Sequence, residues 1–224
     1  GIWASTYDAN YMLASVTSPG ANSDIRTYHY ENSADRQLLT GISINGVRYS
    51  TYKYRTDKRV QESGLAGGEE KDTFTYATNQ TTVTSVAGQP GTYTFTSAQG
   101  ALAIASVSRA ATSTCAAASA KTYYDAYGRV GYTLDWNGNK TDYSYDAAGK
   151  PMQVTTAAGT ASAATRVNTW TGSNLTTVTY RDANASAYAK VVYTYATGSA
   201  AGRLASETWT DLRAGGSRTT SYAY

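Results

Sequence analysis

The amino-acid sequence predicts an all-β fold of tandem antiparallel β-hairpin repeats. First, Tyr124-Asp125-Ala126-Tyr127-Gly128-Arg129-Val130 and Tyr143-Ser144-Tyr145-Asp146-Ala147-Ala148-Gly149-Lys150 state one pattern twice. Second, Tyr-x-Tyr or a close variant recurs at Tyr28/Tyr30, Tyr52/Tyr54, Phe74/Tyr76, Tyr93/Phe95, Tyr143/Tyr145, Tyr193/Tyr195 and Tyr222/Tyr224. The aromatics Tyr30, Tyr54, Tyr76, Phe95, Tyr124 and Tyr145 stand 24, 22, 19, 29 and 21 residues apart. A period of that length marks a repeat architecture. Third, 21 of the 224 residues are Tyr, and most fall in register. Between Tyr145 and Tyr195 one copy is degenerate, with Trp170 halfway along it.

The local chemistry supports each element in turn. Residues i and i+2 of a strand share a face, so each Tyr-x-Tyr sets two rings side by side. Ile42-Ser43-Ile44-Asn45-Gly46-Val47-Arg48-Tyr49 predicts a hairpin, because Asn-Gly accepts positive φ at both central turn positions between alternating apolar residues. Thr81 to Thr84 and Thr176 to Tyr180 alternate Thr with Val and Tyr, which suit a pleated sheet. Ala98 to Ala105 and Cys115 to Ala120 read as loops or small-residue strands. Asp135-Trp136-Asn137-Gly138-Asn139-Lys140-Thr141 is a second tight-turn signature, with Asn137-Gly138 expected as a two-residue turn. Gly128, Gly149 and Gly202 fall just after tyrosines, where the chain must turn. Asp8, Asp125 and Asp146 recur with the repeat and are expected to cap turns by accepting backbone N–H bonds.

Composition narrows the function classes. Hydrophobic residues make up 41%, but Phe and Met number two each, so Tyr does the aromatic work. A buried Tyr needs water or a partner for its hydroxyl, which suits a thin sheet with a wet face. The net charge of +3 gives no basis for nucleic-acid binding. Lys53, Arg55, Lys58 and Arg59 form the one basic run and read as a solvated strand face. No stretch is apolar enough to span a bilayer. Cys115 is the single cysteine, so no internal disulfide framework is expected. No cofactor motif is present, since Gly67-Gly68-Glu69 lacks the Lys-Ser/Thr of a phosphate loop. His29, the one histidine, reads as a strand residue between Tyr28 and Tyr30, and no catalytic or metal constellation is evident.

Tyr-x-Tyr-Asp-x-x-Gly-Arg followed by Asp-x-x-Gly-Asn-x-Thr-x-Tyr-x-Tyr-Asp resembles the YD repeat of the Rhs (rearrangement hotspot) proteins. That family includes bacterial polymorphic toxins, insecticidal toxin-complex C-type components and the teneurins. The match is close over residues 122–150. It is looser at Tyr7-Asp8, Tyr30-Glu31, Tyr54 to Arg59 and Tyr195 to Gly202-Arg203-Leu204. The resemblance implies hairpins that spiral into a strip or part of a hollow shell around a toxic cargo or a lumen. On the matched positions it makes Tyr124, Asp125, Gly128, Arg129, Asp135, Gly138, Asn139, Tyr143, Tyr145, Asp146, Gly149, Tyr195, Gly202 and Arg203 the repeat-defining residues. The family's autoproteolytic aspartate segment has no counterpart in the sequence.

Residues 1–224 are therefore expected to form one YD-repeat region of a longer protein. Its expected role is non-enzymatic: part of a β-shell that encapsulates or presents a C-terminal toxin or effector of a secreted or cell-surface protein. Expected partners are adjacent repeats and that cargo domain. Open strand edges near Trp3 to Tyr7 and Ser221 to Tyr224 also suggest self-association. The alternative is a carbohydrate-binding or adhesive module, with Trp3, Trp136, Trp170 and Trp209 as glycan-stacking rings.

Overall fold

The computed structural model describes residues 2–20 and 23–224. Among these residues the fold is β throughout, with one three-residue 3-10 turn at Gly198–Ala200. The chain divides into two compact units. The first comprises residues 1–94 and 107–117, and the second residues 95–106 and 118–224.

The first unit contains β1 (Ala4–Tyr7), β2 (Leu13–Thr17), β3 (Ile25–His29), β4 (Gly41–Ile44), β5 (Val47–Tyr54), β6 (Val60–Leu65), β7 (Asp72–Ala77) and β8 (Gln80–Thr84). β9 (Pro90–Ala98) and β10 (Ala101–Arg109) each contribute residues to both units. The second unit continues with β11 (Ala118–Tyr124), β12 (Val130–Leu134), β13 (Lys140–Tyr145), β14 (Pro151–Thr156) and β15 (Ala164–Thr171). It ends with β16 (Asn174–Arg181), β17 (Ala187–Tyr195), β18 (Leu204–Asp211) and β19 (Ser217–Ser221). Consecutive strands from β1 to β9, and again from β11 to β19, pair antiparallel, as β3 does with β4 and β15 with β16. Of the Ala-rich stretches, Ala98 to Ala105 is largely strand, in β9 and β10, and Cys115 to Ala120 becomes strand at Ala118, where β11 begins. Pro90 and Pro151 open their strands, where the missing N–H breaks no ladder bond.

The core is thin. Val178 and Val191, paired across β16 and β17, are the buried hydrophobic side chains among the described residues, at 1% and 0% exposure. The accessible surface is 14325 Å². Two separate compact proteins of half this mass would together expose only about 12,000 Å². Stability is therefore spread along the ladder, where cross-strand hydroxyl pairs such as Thr155–Thr165 (3.0 Å) and Thr208–Thr219 (2.9 Å) line the surface.

The Asn45-Gly46 hairpin forms as expected, with φ of 50° and 82° and Ile44 opposite Val47. The expected two-residue turn at Asn137-Gly138 does not form. Only Gly138 of that pair has positive φ, and the turn runs over five residues from Asp135 to Asn139. The Asp135 carboxylate accounts for the difference, since it captures the backbone N–H groups that a two-residue turn would leave to the ladder.

Candidate functional site

The repeat is a device made of a turn, a bulge and an aromatic arm. In the turn, Asp125 N–H donates to Arg129 O (2.8 Å) and Gly128 N–H donates back to Asp125 O (3.0 Å). Asp135 to Asn139 and Asp146 to Lys150 repeat this pattern. The first carboxylate stitches the loop. Asp125 Oδ1 accepts from Tyr127 N–H (2.8 Å) and Arg129 N–H (2.9 Å), and Asp135 Oδ1 accepts from Asn137 and Asn139 N–H (2.9 Å each). Asp146 Oδ1 accepts from Lys150 N–H (2.8 Å). Two further copies keep the capping aspartate but lack the glycine. Asp8 binds the N–H groups of Asn10 and Met12, and Asp182 binds those of Asn184 and Ser186. In these, Tyr11 (φ 60°) and Ala185 (φ 61°) occupy the left-handed position that Gly128 (φ 74°) fills elsewhere.

A ladder irregularity falls immediately before the second aromatic of the repeat. It lies between Lys53 and Tyr54, Tyr123 and Tyr124, Ser144 and Tyr145, and Thr194 and Tyr195. A bulge re-aims the side chain that follows it. The simple i, i+2 sharing of a face therefore does not describe these pairs. At these four positions, and at Tyr76 where the ladder with β8 is regular, the hydroxyl reaches the carbonyl at or near the start of the preceding strand. Tyr54 donates to Leu39 O (2.7 Å), Tyr76 to Val60 O (2.7 Å), Tyr124 to Ile104 O (2.9 Å), Tyr145 to Val130 O (3.0 Å) and Tyr195 to Leu175 O (2.9 Å). Burial pushes the Tyr54 hydroxyl pKa up, which keeps it a donor. Tyr143 is half-buried on β13 opposite Val154.

The basic residue that closes one turn lies over the ring of the next arm. Arg59 stands 4.2 Å from the Tyr76 centroid, Arg129 4.6 Å from Tyr145 and Arg203 5.1 Å from Tyr224. Arg129 also donates to Asp125 Oδ2 (2.8 Å) and to Asp146 O (3.2 Å), tying its own turn to the next. Gly202 (φ 84°) precedes Arg203 in a longer loop, and Leu204 O accepts from Tyr224 Oη (3.1 Å).

Trp170 completes the degenerate copy. A register shift precedes it, its Nε1–H donates to Pro151 O (3.0 Å), and Lys150 Nζ stands 5.8 Å over its ring. An indole N–H thus does the work of a phenol O–H. The sequence places Trp170 halfway but does not reveal this role; the neighbouring Lys150-Pro151, aligned with Arg129-Val130, is the signal that could have done so.

Electrostatics follow the turns. Burial works against ionisation of Asp125, but the backbone and guanidinium of Arg129 hold its carboxyl below the ordinary value. The side-chain amide and backbone N–H of Asn139 do the same for Asp135. Each member of the basic run has a carboxylate partner: Lys53 pairs with Glu62 (2.8 Å), Lys58 with Asp35 (2.7 Å), and Arg55 and Arg59 share Asp57 (3.4 and 2.6 Å).

His29 Nε2 lies 2.8 Å from Ser43 Oγ, a contact that sequence reasoning missed. It does not build a nucleophile. Ser43 is 5% exposed, and Glu31 Oε1 stands 3.9 Å from His29 Nδ1 while Glu31 binds Arg48 through both oxygens. Among the described residues no cluster of metal-ligating side chains occurs, and no helix is long and apolar enough to cross a membrane. Cys115 is an exposed free thiol. Of the tryptophans, Trp3, Trp136 and Trp209 are exposed.

Residues 124–161 match the RHS Repeat family. No curated protein matches the sequence. The fold is similar to the crystal structure of TcdB2-TccC3-TEV, with a TM-score of 0.58 and 11% identity over 94% of this chain and 11% of that one. TcdB2-TccC3-Cdc42 gives a TM-score of 0.48 and 14% identity over 88% of this chain and 10% of that one. A Photorhabdus luminescens Tc holotoxin pore gives 0.36 and 13% identity over 94% and 13%. The chain therefore spans about a tenth of the length of the first two of these chains.

Proposed function

We propose that this chain, a YD/Rhs-repeat protein, is a non-enzymatic structural module whose residues 1–224 act as one repeat region. It forms part of a β-shell that encloses or presents a C-terminal toxin or effector of a secreted or cell-surface protein. Its partners are adjacent repeats and that cargo. The observation that carries the reading is the tyrosine arm, a hydroxyl-to-carbonyl bond that recurs in most copies of the repeat and ties each such strand to the one before it. Such nearest-neighbour coupling builds a continuous wall from units that are unstable alone. The repeat-defining role falls to the turn residues Asp125, Gly128, Arg129, Asp135, Gly138, Asn139, Asp146, Gly149, Gly202 and Arg203. The strand residues Tyr124, Tyr143, Tyr145 and Tyr195 share it.

Limited proteolysis tests the enclosing role. In the parent protein, the segment C-terminal to the repeats is expected to resist protease while residues 1–224 are present and to be cleaved when they are deleted. Equal protection in both forms would overturn the shell reading.

A further inference from the structure

The second unit holds an aromatic cleft that the repeat device does not use. It has a volume of about 650 Å³ and lies along β17, β18 and β19. That volume falls within the roughly 300–1,000 Å³ of small-ligand sites. Its floor is Trp209, which stays 46% exposed although its ring stacks on Tyr180 at 5.8 Å and 14°. Register places Arg218 directly opposite Trp209. Tyr188 forms a second wall, with the Arg213 guanidinium 5.1 Å over its ring.

Charge decides the kind of ligand. Arg213 donates to Asp182 Oδ2 at 2.6 Å, so its charge is offset and its position set. Asp211 spends Oδ1 on the turn, accepting from the N–H groups of Arg213 (2.8 Å) and Ala214 (2.9 Å). One carboxylate, Asp211, and one guanidinium, Arg218, then remain to balance each other in the lining. A polyanion would want a broad basic stripe, and the lining of this cleft offers only Arg213 and Arg218. What remains is an exposed aromatic plate flanked by a strong acceptor and a strong donor.

We infer that this cleft binds a neutral hexopyranosyl glycan, its apolar C–H face on Trp209 and its hydroxyls bonded by Asp211 and Arg218. A pyranose presents an apolar ring face and a rim of groups that both donate and accept, which matches the lining. This site is independent of the shell reading. Trp209 is an exposed tryptophan with such a cleft built around it.

The test is a glycan array probed with the intact chain. It carries neutral hexose and N-acetylhexosamine glycans beside uronate and sulfated ones, with calorimetry on the best-bound neutral glycan. Binding to a neutral glycan is expected, weakened about tenfold or more in Trp209→Ala. Because Trp209 also stacks on Tyr180, Trp209→Phe and Arg218→Gln are measured with it. Both are expected to melt as the parent does and to bind more weakly. Absence of neutral-glycan binding, unchanged affinity in Trp209→Phe and Arg218→Gln, or binding only to sulfated or uronate glycans would overturn the site.

Discussion

Tyr145 shows why the repeat conserves chemistry at single atoms. Its ring lies under Arg129 and its hydroxyl satisfies Val130 O on the neighbouring strand. Tyr145→Phe removes only the bond and should cost about 0.5–1.5 kcal/mol. Tyr145→Ala also removes the ring and should cost about 2–4 kcal/mol. Urea unfolding midpoints separate the two, and equal losses would refute the hydroxyl's role. Backbone conformation sets the other residue-level rule. Gly138 has φ 81°, so Gly138→Val should destabilise by more than about 1 kcal/mol. The converse holds at Ala185, already at φ 61°, where Ala185→Gly should stabilise by about 0.5–1 kcal/mol. A drop in melting temperature for Ala185→Gly would contradict this.

At the scale of the element, the turn and the arm depend on ionised carboxylates. Asp125, Asp135 and Asp211 all have pKa values held below the ordinary one, the last by backbone N–H bonds from Ala214 and Arg213. A carboxyl whose folded pKa is lowered stabilises the fold above its unfolded pKa of about 3.9 and loses that contribution as pH falls through the folded value. Stability should therefore be level in this respect from pH 7 to 5 and decline below about pH 4. Denaturant midpoints that rise on acidification from pH 5 to 3 would refute the assignment. Trp170 is the element-level substitute. Trp170→Phe should cost about 1 kcal/mol, because Pro151 O keeps its second bond from Asn168 Nδ2 (2.9 Å).

For the whole molecule, a thin sheet with few buried apolar side chains has no single centre to hold it. The closest approach to one is Val178 and Val191, in β16 and β17, flanked by Asn168 at 3% exposure. Native-state hydrogen exchange should show the slowest amides in β15 to β18 and faster exchange in β1 to β3, whose side chains are nowhere fully buried. Uniform protection across the strands would refute this gradient.

Period, strand composition and turn chemistry are local properties, and they were legible in the residues themselves. The Tyr-x-Tyr spacing predicted hairpins, the periodic Asp predicted turn capping, and Asn45-Gly46 predicted its own turn. The five-residue turn at Asp135 is not legible in the same way, because Asn-Gly and a capping Asp compete for the same backbone and their balance depends on the strands they join. The bulge before Tyr145, the reach of its hydroxyl to Val130 and the replacement of a tyrosine by Trp170 belong to tertiary structure. Each joins groups about 15 to 20 residues apart, and that distance closes only when neighbouring strands settle into register. Likewise the cleft at Trp209 draws on β17, β18 and β19 together. Linear spacing cannot tell an aromatic enclosed by such strands from one standing alone, because exposure is decided by what folds beside it.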